Sequence, residues 1–169
     1  MINFDSIYTQ KIANEYEIKA AWIGKFCEFV EWHYSSDVSN PSKPFRIAVI
    51  GKHNFGNLLD EFYNERRIKS KTVTITYYND IKKLPDCDLL FITATASNNL
   101  MEIINHYKNL PVLTISDTYG FASKGVHINL YKQNDMIRFE INENAVKAAN
   151  LQMSHLILKQ AKIVSGENK

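Results

Sequence analysis

Three short apolar runs, FRIAVI at residues 45–50, DLLFIT at 88–93 and VLTIS at 112–116, constrain this chain more than any other feature. The first is bounded by Pro44 and Gly51 and the third is introduced by Pro111, and none shows a strict alternation of apolar and polar positions. A run of this kind is a strand covered on both faces, the signature of a parallel sheet with helices above and below it.

The stretches between the runs carry helical spacing. Asn54 can cap a helix over 54–66 that turns Phe55, Leu58, Leu59 and Phe62 inward, and Ser97 or Asn98 can open another that runs to about Lys108. Residues 71–78 read as a further strand. Strands alternating with helices pair in parallel through right-handed crossovers. After Asp117 the pattern changes, because 126–131 and 136–141 are separated only by KQND and form a hairpin. Ahead of the first run, residues 9–33 set Ile12, Tyr16, Ala20, Ile23, Phe26, Cys27 and Val30 three and four apart, the stripe of a helix lying on a core. Asn142 can cap a helix through Ala149, and Asn150 is suited to a left-handed stop. An amphipathic helix over 151–164 closes the chain. The expected fold class is therefore three-layer α/β, with a mostly parallel sheet flanked by helices and an antiparallel hairpin at its C-terminal side.

A chain of 169 residues supports one such core. Residues 9–164 are expected to form a single domain, with flexible ends at 1–8 and 165–169. No stretch reaches the roughly 18 apolar residues that a membrane span needs, and the amino terminus lacks the layout of an export signal. With a net charge of +2, the densest basic run is Arg66, Arg67, Lys69 and Lys71, which reads as a solvated corner and not as a nucleic-acid surface.

The loop GKHNFG after the first run raises the question of phosphate binding. A phosphate-cradling loop needs Lys and Ser or Thr directly after its second glycine, and Asn57 and Leu58 stand there. The dinucleotide fingerprint needs a different glycine spacing, so the loop reads as a tight turn that leaves at most a few helix-start amides for an anion. A phosphoryl-accepting receiver domain would need acidic residues where Gly51 and Thr93 stand. Ser116 and Asp117, with His127 nearby, lack the Gly-x-Ser-x-Gly turn of a serine hydrolase. The histidines are spread singly, without zinc-ligand spacing. No catalytic residue, metal site or cofactor is assigned. Open α/β sheets bind ligands beyond the carboxyl ends of their strands, which here gathers Gly51, His53, Thr93, Thr95 and Asp117 as a candidate pocket for a small-molecule sensor. The turn LTISDTYGFASKG at 113–125 leads from a buried strand into a loop with both a carboxylate and aromatics, where Asp117 can bond the turn's own amides and Phe121 can plug the core.

Taken together, the residues resemble the YfiR-like family. The resemblance rests on KAAWIGKFCEFVEW at 19–32, FRIAVIG followed by Phe55 and Gly56, CDLLFI at 87–92, and LTISD with Phe121, Ala122 and Gly125. It continues through RFEIN at 138–142 to Ala145, Ala148, Leu151, Ser154, Leu156, Leu158 and Ala161, and spans roughly residues 15–164. The resemblance implies a non-catalytic, exported periplasmic protein whose leader has been removed. Such a protein is expected to form homodimers and to restrain a membrane-bound partner without inserting into the membrane. The partner the resemblance implies is, in the best-known case, a diguanylate cyclase making cyclic di-GMP; the alternative reading is a small-molecule-binding sensor domain that serves a histidine kinase or other membrane receptor. Aromatics anchor interfaces, which makes Trp32 and Tyr34 at the end of the first helix, with Asp117, Tyr119 and Phe121, the candidate partner surface. Redox-sensing relatives carry a cysteine where Ala48 stands, facing the one matched by Cys87, so that bridge cannot form here. Cys27 and Cys87 are left as a candidate redox pair, provided that their Cα atoms lie within about 4.4–6.8 Å.

Overall fold

The computed structural model describes residues 4–79 and 83–166. Helix α1 (Phe4–Phe29) leads into a two-residue strand β1 (Val30–Glu31), and the first apolar run forms β2 (Phe45–Ile50). Then come α2 (Leu58–Tyr63), β3 (Arg67–Ile68), β4 (Lys71–Tyr78), β5 (Leu89–Ile92), α3 (Leu100–Tyr107) and β6 (Leu113–Ser116). The chain ends with β7 (Ile128–Gln133), β8 (Met136–Ile141), α4 (Glu143–Ala148), β9 (Gln152–Met153), α5 (His155–Leu158) and β10 (Lys162–Ile163). Of the expected flexible ends, 1–3 and 167–169 lie outside the described residues, while 4–8 belong to α1.

Among the described residues the main sheet has eight strands, in the order β10-β8-β7-β6-β5-β2-β4-β3. Its centre, from β4 through β2, β5 and β6 to β7, is parallel, and β8 returns antiparallel to β7. The three apolar runs form β2, β5 and β6, whose two buried faces explain why they lack a strict alternation: side chains of one parity enter the core beneath α1, and those of the other face α3. Phe26, Ile47, Val49, Phe91, Ile115 and Leu130 belong to the first core; Ala48, Ile50, Leu90, Ile92, Ile103 and Phe121 belong to the second. The hairpin turns at Asn134 and Asp135, both with positive φ, as a tight two-residue turn demands. Asn142 caps α4 by accepting from the Ala145 amide at 3.0 Å, and Asn150 sits at φ +54°.

Three expectations need correction. Asn54 does not cap α2, which starts at Leu58 and is a single short helix. Gly56 sits at φ +56° and Phe55 turns into the core against Tyr16 and Phe91, so the residues meant for the first turn anchor the loop instead. Helix α3 begins at Leu100, because 94–99 wind as a tighter 3-10 turn. The closing helix over 151–164 is absent: β9 pairs antiparallel with β1, Ser154 caps the four-residue α5, and β10 joins β8 at the sheet edge. Backbone pairing with strands far away in sequence, including Ser154 N–H to Phe29 O at 2.9 Å and Val164 N–H to Ile141 O at 3.0 Å, overrides a weak local helical pattern.

Candidate functional site

The strand order reverses between β2 and β5, since the chain leaves β2 for β4 on one side and returns to β5 on the other. Ligands of open α/β sheets bind at such a point. Here the protein's own side chains bridge it. The Thr93 hydroxyl donates to Ile50 O at 3.0 Å, Thr95 Oγ1 accepts from the Lys52 amide at 2.7 Å, and the two hydroxyls lie 3.0 Å apart. Gly51 holds φ +91°, and a Cβ there would strike the Thr93 hydroxyl and come within 2.6 Å of that of Thr95. The threonines therefore occupy the space that a side chain would need, which gives this glycine a steric reason. His53 is not drawn into the knot; it stacks on Tyr77 with ring centroids 4.4 Å apart.

Asp117, the first residue after β6, is engaged from above by α1. Lys19 Nζ lies 2.8 Å from Asp117 Oδ2 and 2.6 Å from Glu15 Oε1. The Tyr16 hydroxyl donates to the same Asp117 oxygen at 2.9 Å and accepts from Asn54 Nδ2 at 3.2 Å. The Lys19 and Asp117 side chains are 6% and 12% exposed, so the pair is nearly dry. Burial alone would lower the Lys19 pKa, but the Asp117 charge and the hydrogen bonds to Asp117 and Glu15 outweigh it and hold the ammonium above its ordinary range. Burial and the Asp117 charge raise the Tyr16 phenol. Both groups keep their protons at neutral pH, which suits a structural clasp and not a general base. Neither Lys19 nor Tyr16 was singled out as a functional residue from the sequence. The available signal was a lysine between Tyr16, Ala20 and Ile23 on the apolar stripe, where a charge needs a buried partner.

The clasp gives the following loop its shape. Asp117 ties down one end, and Phe121, 3% exposed, plugs the α3-side core at the other. Between them Gly120 takes φ +80°, and Tyr119 stands 93% exposed at the apex. Of the other candidate partner residues, Trp32 is half-buried and meets Phe45 edge-on at 5.6 Å. Tyr34 is exposed, but it precedes Asp37, which pairs with Arg46 at the start of β2, whereas Tyr119 follows the end of β6. Because β2 and β6 run parallel, the two tyrosines lie at opposite ends of the sheet and do not form one surface. Cys27 and Cys87 are free, buried thiols in the two separate cores, on opposite faces of the sheet. They do not pair. Burial raises both, Cys87 to about 12.

Among the described residues, no group of three or more His, Cys, Asp or Glu side chains has the arrangement to hold a metal ion. No helix of the described residues is long and apolar enough to cross a membrane. Among curated proteins, none matches the chain. A model of the YfiR/HmsC-like family matches residues 16–162, a span from within α1 to the start of β10. With nearly the whole described fold inside that match, the chain belongs to the YfiR/HmsC-like family.

Proposed function

We propose that this protein is a periplasmic, non-catalytic regulator that binds the outer segment of a membrane-bound signalling protein, a diguanylate cyclase in the first instance, and holds it inactive. The observation that carries this reading is the family match over residues 16–162, since the YfiR/HmsC-like family is generally regulatory. The protein acts as a homodimer, needs no cofactor and stays out of the bilayer. Control then lies in whatever changes its affinity for the partner.

The contact is assigned to the Asp117–Phe121 loop, with Tyr119 as its anchor. An aromatic held clear of the surface by a clasped loop loses little conformational freedom on docking, and such residues dominate interface energetics. The test is capture of the purified outer segment of a candidate cyclase by the wild-type protein and by single variants. Tyr119→Ala should weaken capture about tenfold or more with an unchanged circular dichroism spectrum. Tyr34→Ala, at the other end of the sheet, should leave it intact. Equal capture by all three proteins removes Tyr119 from the interface. Capture of a histidine kinase outer segment in place of any cyclase transfers the reading to that receptor class.

A further inference from the structure

We infer that the groove between α1 and the α2–β3 corner is a binding site for a compact polyanion, a small molecule carrying two or more carboxylate or phosphate groups. The basic run that reads from sequence as a solvated corner divides in the structure. Lys71 turns inward and donates to the backbone carbonyls of Asp37, Val38 and Asn40, at 2.7–3.0 Å. Arg66, Arg67 and Lys69 instead line a cavity of about 570 Å³ together with Lys25, over a wall of Phe62 and Tyr63. That volume lies within the range of small-ligand sites. Ala21 and Gly24 form the α1 side, and their small size keeps the groove open.

The charge in this groove is positioned but not neutralised. Among the described lining residues the one carboxylate, Glu28, is already taken by Lys25 at 2.7 Å. Among the described residues, Arg66, Arg67 and Lys69 have no ion pair; Arg66 rests over the Phe62 ring at 4.3 Å and Lys69 over Trp32 at 5.9 Å. A cation steadied on an aromatic face keeps its charge and its N–H donors for an incoming anion. Lys69 sits in the two-residue turn between β3 and β4, at φ +51° with Ser70 at +64°, the conformation such a hairpin turn demands, and this fixes where its side chain leaves the backbone beside the groove.

The experiment titrates citrate and pyrophosphate separately into the full chain at low ionic strength, reading tryptophan fluorescence, to which Trp32 contributes from beneath Lys69, and the melting temperature. Saturable binding that weakens with added salt is expected. The triple variant Arg66→Gln, Arg67→Gln, Lys69→Gln should lose about a hundredfold or more in affinity. Ala21→Glu, which removes no cation but sets a carboxylate in the groove, should do the same. Lys108→Gln with Lys159→Gln, two exposed lysines elsewhere, should bind as wild type. A hexaglutamate peptide and anionic vesicles serve as separate arms. No saturable response to either small anion overturns the inference, as does binding of the peptide or vesicles alone, or an equal loss in the distant lysine variant.

Discussion

Replacing Asp117 by Asn removes one charge from the clasp while keeping its shape. Breaking a buried ion pair by deleting one partner costs about 3–5 kcal/mol, because the remaining charge is left without compensation. Lys19 here retains Glu15 at 2.6 Å, and that carboxylate is 25% exposed, so the loss is only partly relieved. The expected cost is about 2–3 kcal/mol, or roughly 5–10 °C in melting temperature for a chain of this size. Lys19→Met leaves Asp117 with the Tyr16 hydroxyl and should cost about 2 kcal/mol. If the two side chains stabilise the fold mainly through each other, the double variant should lose about 2–3 kcal/mol in total, well short of the sum, a coupling of about 2 kcal/mol. The assay is equilibrium unfolding in urea, which does not screen charge as a guanidinium salt does. Single-variant losses that add to within about 0.5 kcal/mol would refute the clasp as an energetic unit.

His127 is 2% exposed, its ring Nδ1 accepts from the Thr114 amide at 3.1 Å, and burial lowers its pKa to about 4. The unfolded imidazole titrates near 6.5, so the unfolded state binds more protons between those values and stability falls as pH drops from about 6.5 towards 4. A loss of about 2 kcal/mol between pH 7 and pH 5 is expected in urea unfolding, and His127→Asn, whose Oδ1 can take the place of Nδ1, should flatten that part of the profile. Asn142→Ala removes both the cap on the Ala145 amide and the 2.8 Å bond from Nδ2 to Ala122 O; thermal or urea unfolding should show a loss of about 2–3 kcal/mol. Cys27 and Cys87 should both escape thiol reagents in the native protein and both react after unfolding, and reducing agent should leave the melting temperature unchanged.

What the sequence alone determined is what local pattern and burial jointly dictate. FRIAVI, LLFI and LTIS are strands because a mostly apolar run without strict alternation has to be covered on both sides, and a sheet between two helical layers meets that demand. The hairpin, the Asn142 cap and the left-handed Asn150 were legible for the same reason: each depends on a few neighbouring residues whose backbone preferences agree with the fold. The tertiary structure decided everything that rests on distant partners. Strands β9 and β10 are two residues long and exist only against the edges of β1 and β8. Lys19 meets Asp117 across 98 residues of sequence, a pairing that no local spacing announces. The opposite ends taken by Tyr34 and Tyr119, and the turning of three cations towards α1 while Lys71 is buried, follow from which strands lie side by side. Long-range contact is a property of chain topology, and single-residue chemistry limits it without specifying it.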